Sequence, residues 1–163
     1  IFIVHNRKWS VREVVCFGIL LCMVTICCLI LFERKKIILS QAISSELLFS
    51  YIVIVLGSTV FARQSTGIHE YELQFFWSWK EVFYGNFEML LLFPMGILLP
   101  IVFHGKIKWW QGTLIGWGLS AIIELCQLIL CRGLFEWDDM IHNSMGCMFG
   151  CILMEKWLKS REV

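Results

Sequence analysis

Ser120, Glu124 and Gln127 stand at i, i+4 and i+7, so a helix would put all three on one face. Glu124 has Ile122, Ile123, Leu125 and Leu128 around it and lies well inside an apolar run. An ionised side chain at the centre of a bilayer costs on the order of 3 kcal/mol on insertion scales. Glu124 is therefore expected to face the inside of a helix bundle or to be neutral there. The plain alternative is a hydrogen-bonded structural glutamic acid. A second polar group follows at Asp138, Asp139, His142 and Asn143, with Asp138 and His142 at i, i+4. Carboxylates also suit a helix N-terminus, where the backbone dipole favours negative charge. Beyond that role, Glu124, Gln127, Asp138, Asp139, His142 and Asn143 are the candidate ligand-binding residues, able to hold a cation, a proton or a lipid headgroup. Glu124 and Asp139 are the candidates for acid or base chemistry. No nucleophile–base pair is evident, since Ser120 has Glu124 but no histidine at helical spacing. No metal or other cofactor is expected: His142 has no second histidine at ligand spacing, and the eight cysteines form no C-x-x-C pair. Nearly all of those thiols fall in apolar runs and read as small hydrophobes.

The elements that must position these groups are long apolar segments. Of 163 residues, 58% are apolar and only 17% charged, more apolar surface than a soluble domain of this size can hide. The net charge of +1 gives no basic stripe and no sign of nucleic-acid binding. Five runs stand out: 14–32, about 47–62, about 87–103, 109–131 and about 140–158. None alternates with period two, and in lipid a span must satisfy its own backbone hydrogen bonds, so helices are expected. The reading is an all-α, polytopic transmembrane bundle of about five spans, multi-pass in a cell membrane, with membrane lipids as partners and homo-oligomerisation left open. The run at 14–32 is too long for a signal-peptide core and is read as a retained span. Between the second and third spans, Phe75-Phe76-Trp77-Ser78-Trp79 and Tyr84 favour the headgroup level, which predicts a short interfacial segment. Basic residues flanking the spans sum to six on one side and eight on the other, slightly favouring a cytoplasmic C-terminus, although the basic N-terminal tail opposes it. Gly112/Gly116 and Gly146/Gly150 are small-residue pairs that let helices approach closely. Pro94 and Pro100 each remove a helical hydrogen bond and are expected to kink the third span.

Three blocks together resemble the VanZ-like family. Phe93-Pro94-Met95-Gly96-Ile97-Leu98-Leu99-Pro100 is similar to its F-x-P-x-G-x-x-L-P core, and Glu124-Leu125-Cys126-Gln127 to its E-x-x-Q. The segment from Phe135 to Gly146 is similar to its aromatic-D-x-x-D-x-x-x-N-x-x-G stretch, with Asp139 at the second aspartate. The order and spacing of the blocks agree. One departure is Glu88, where the family often has Asn; Asn86 is out of register. The resemblance covers about 47–158 as a four-helix membrane domain, leaving 1–46 as a tail and an additional span and 159–163 as a C-terminal tail. The family is named for a membrane protein associated with teicoplanin resistance. The resemblance therefore implies a cell-envelope protein that modulates susceptibility to teicoplanin-type glycopeptides, with a lipid-linked wall component or the glycopeptide as partner. Two other readings stay open: an intramembrane enzyme acting on a lipid headgroup, with Gln127 and Asn143 positioning the substrate, and a small proton-coupled carrier using Glu124.

Overall fold

The computed structural model describes residues 10–74 and 91–161. The aromatic segment from Phe75 to Tyr84, and Asn86 and Glu88, lie outside them. The first helix, α1, runs Val11–Glu33. Its start is set by a reciprocal cap: Ser10 N–H donates to Glu13 Oε2 at 2.7 Å and Glu13 N–H to Ser10 Oγ at 3.3 Å. It ends at Arg34, and Lys35 takes a left-handed turn with φ 54°. No residue of α1 is buried. An apolar helix with so little protein around it suits a lipid surround.

The second helix, α2, runs Leu39–Leu56 and continues as a wider π turn over Gly57–Phe61. It starts eight residues ahead of the apolar run, because Ser40, Gln41, Ser44, Ser45 and Glu46 are helical too. Gln41 fixes that start twice: its Oε1 accepts from Ile38 N–H at 3.1 Å, and its Nε2 donates to the Val102 carbonyl at 3.0 Å. The second bond ties α2 to the end of α3 (Phe93–Val102). At the other end of α2, Phe61 meets Phe17 of α1 edge-on, ring centres 5.8 Å apart.

Pro94 stands in the first turn of α3, where a missing N–H breaks no helical bond, so it starts the helix rather than bending it. Pro100 is inside α3, which stops two residues later. Tyr51 of α2 donates its hydroxyl to the Leu91 carbonyl just before α3. A tight turn through His104 (φ 53°) and Gly105 (φ 72°) leads to α4, Trp109–Ile129. The last helix, α5, is Trp137–Arg161. It packs against both α3 and α4, and α3 also lies on α2.

Among the described residues, α1, α2 with its π turn, and α4 are long and apolar enough to cross a membrane. The third helix has only 10 described residues, and α5 is polar over its first turns. Of the about five spans expected, three are helices of spanning length and composition among the described residues. All-helical is also incomplete: β1 (Glu70–Glu72) pairs in parallel with β2 (Leu134–Glu136), Tyr71 opposite Phe135. The core where α2, α3, α4 and α5 meet contains Val55, Leu92, Met95, Leu99, Ile123, Cys147 and Cys151. Its closest approaches are glycine-mediated. Gly112 and Gly116 of α4 receive Cys151 and Cys147 of α5, and Gly150 of α5 faces the Phe93 carbonyl of α3. Gly146 is buried on the same helix.

Candidate functional site

The polar residues of α4 and α5 meet inside the bundle. Exposure falls to 0% for Ser120, 2% for Glu124 and 3% for Gln127 on α4, and to 0% for Asp138, 4% for His142 and 6% for Asn143 on α5. Six polar side chains at this depth are costly unless each finds a partner. Asn143 Nδ2 donates to Ser120 Oγ at 3.0 Å, a direct side-chain link between the two helices. The Asp139 carbonyl lies 3.5 Å from the same hydroxyl, a weak contact. Glu124 Oε2 accepts the backbone N–H of Glu136 at 2.9 Å. That donor sits at the end of β2, one residue before α5 begins. Gln127 Nε2 donates to the Thr59 carbonyl at 3.1 Å, a group in the last turn of α2, where carbonyls lack an intrahelical partner.

Charges gather at this end of the bundle. Asp139, Glu136 and Arg63 all act electrostatically on Glu124, and Asp138 acts on His142. A Cβ at Gly133 would lie 2.6 Å from Arg63 Nη1 and 3.2 Å from Gln127 Oε1. The absent side chain at Gly133 is what admits the guanidinium beside Gln127. Asp138 and Asp139 part ways: Asp138 is fully buried, whereas Asp139 is exposed at the rim. Consecutive residues on a helix point about 100° apart, and here that offset turns Asp138 inward and Asp139 outward.

Sequence reasoning missed Thr59 and Arg63, which arrive from the end of α2, and Gly133 and the Glu136 N–H, which lie in the short link between α4 and α5. It also passed over Glu46, whose signal was available as an acid beside an apolar run. Glu46 Oε1 lies 2.8 Å from Thr25 Oγ1 of α1, while its Oε2 is buried with no hydrogen-bond partner among the described residues. Among the described residues, no three His, Cys, Asp or Glu side chains are grouped to hold a metal ion.

The Ser120–Asn143 bond makes a direct prediction. A double-mutant cycle of Ser120→Ala and Asn143→Ala should give a coupling of about 0.6–1.7 kcal/mol, the range for interhelical hydrogen bonds in membranes. Unfolding of the four proteins in mixed micelles measures it. Strict additivity would mean the bond contributes nothing.

Fold and site together define a helical membrane protein whose polar residues are collected between its last two helices. The chain belongs to the VanZ/LLP1 family, which it matches over residues 17–158. That match takes in most of α1 as well as α2 to α5. No curated protein and no solved structure matches the chain.

Proposed function

We propose that this VanZ-like protein is a multi-pass protein of the cell membrane that lowers susceptibility to teicoplanin-type glycopeptides by binding a lipid-linked envelope component at the α4–α5 site. The observation that carries this reading is the concentration of buried polar groups at one end of two packed helices. A bundle that needed only to pack would fill these positions with apolar residues at lower cost. Asp139 stands exposed at the rim and makes the first contact with a headgroup. Glu124, Gln127 and Asn143 lie behind it and set the shape and charge of the floor. The drug preference comes from the family, not from any distance in the site.

Growth inhibition in a susceptible Gram-positive host tests the reading. Expression of the intact protein should lower susceptibility to teicoplanin more than to vancomycin. Asp139→Asn should remove most of that protection with the protein level unchanged by immunoblot. An exposed side chain carries little of the folding energy, so its loss separates recognition from stability. No protection by the wild type, or full protection by Asp139→Asn, would count against the site.

A further inference from the structure

The loop before β1 brings a histidine to a cysteine that the polar site does not use. Cys131 lies just beyond the end of α4 with φ 50°, and its thiol is half-buried. His69 is exposed, and its Nδ1 lies 2.7 Å from the Leu128 carbonyl. A carbonyl only accepts, so that contact places the ring proton of a neutral His69 on Nδ1 and leaves Nε2 as the free base. Cys131 Sγ is 3.4 Å from Nδ1 and 3.9 Å from Nε2. Thr66 N–H donates to the Cys131 carbonyl at 2.8 Å, so the loop is pinned to the segment that carries the thiol. Thiol and imidazole are thereby held side by side, with the Leu128 carbonyl orienting the ring and the basic Nε2 within 3.9 Å of the sulfur.

We propose that Cys131 and His69 form a reactive thiol–imidazole pair that undergoes thiol–disulfide exchange with small, water-soluble disulfides. In the step, the Cys131 proton passes to His69 Nε2 while Sγ attacks one sulfur of the disulfide. The incoming S–S bond breaks and a new S–S bond joins Cys131 to half of the reagent. The departing thiolate takes the proton from the imidazolium. Cys131 is oxidised and the released half is reduced, so electrons and protons balance. The other described thiols are placed differently. Cys147 and Cys151 are buried in the core, Cys126 of α4 is half-buried and packs against that core, and Cys16, Cys22, Cys27 and Cys28 lie along apolar α1. A charged reagent in water reaches Cys131 first. This site is separate from the Glu124 cluster and does not rest on the function proposed for it.

Oxidised glutathione and the intact protein in lipid nanodiscs, both faces open to water, provide the test. Mass spectrometry should find one fast adduct per chain, and peptide mapping should place it on Cys131. Cys131→Ser should abolish it. Gln can still donate to the Leu128 carbonyl but cannot take up a proton, so His69→Gln should slow the adduct at least about tenfold, at the low end of what a positioned base contributes. Should that variant fail to fold, prior acylation of the exposed imidazole in the wild type with diethyl pyrocarbonate must slow Cys131 to the same degree. A fast adduct on another cysteine, or a rate unaffected by loss of the imidazole, would overturn the proposal.

Discussion

Gly96→Ala should destabilise the protein by about 3 kcal/mol or more, the upper end for overpacking in a close-packed core. An added Cβ would sit 2.2 Å from the Cys147 carbonyl oxygen and 2.9 Å from its Cα. Those atoms are backbone of α5, so no rotamer change relieves the clash and the two helices must separate. Gly150→Ala should do the same from the other side, because its Cβ would lie 2.4 Å from the Phe93 carbonyl oxygen and 2.9 Å from the Gly96 Cα. The two losses should be strongly non-additive, since both open one interface. Gly18→Ala and Gly118→Ala are the controls. Their added Cβ atoms meet nothing within 4 Å. Both positions are helical, and alanine there should be neutral or stabilise by about 0.5–1 kcal/mol. Denaturant titration in mixed micelles, followed by helical circular dichroism, measures all four. Wild-type stability in Gly96→Ala would mean that α3 and α5 do not pack as described.

The same interface marks what could be read from the residues alone. The apolar runs gave α1 and α4 to within a few residues, because segments of that length have few other folds open to them. The common face of Ser120, Glu124 and Gln127 followed from helical period, and all three are buried. Asp138 and Asp139 could not be told apart, because which one turns inward depends on where α5 begins. Trp137 opens that helix directly after β2, and this sends Asp138 into the bundle. The pairing of β1 with β2 joins segments over 60 residues apart through three residues each, too short to leave a pattern. Gln127 reaching Thr59 joins residues 68 apart in the chain, a pairing that no residue type announces. The reading of Gly112/Gly116 and Gly146/Gly150 as close-packing pairs named positions of the right kind. It did not identify Gly96, whose backbone meets α5 most closely, because a single glycine between prolines reads as part of a family block. The partners it lacked come from the far end of the chain.

Glu124→Gln should keep the fold and lose the function, whereas Glu124→Leu should lose both. The Glu124 Oε2 atom accepts the Glu136 N–H at 2.9 Å, at the junction of β2 and α5. A glutamine carbonyl can accept the same bond, so stability should change by less than about 1 kcal/mol. Leucine fills similar space and accepts nothing. It would leave a buried N–H unsatisfied, at a cost of about 1–3 kcal/mol, at the point that sets the rotation of α5. Because that rotation decides whether Asp138 faces inward, the damage should spread to the whole cluster. Teicoplanin protection should then fall in both variants, but for separable reasons: thermal stability stays near wild type in Glu124→Gln and drops in Glu124→Leu. Full protection by Glu124→Gln would show that neither a charge nor an exchangeable proton at this position is needed. The buried cluster would then be a scaffold for Asp139 at the rim, and recognition would rest on the exposed residues alone.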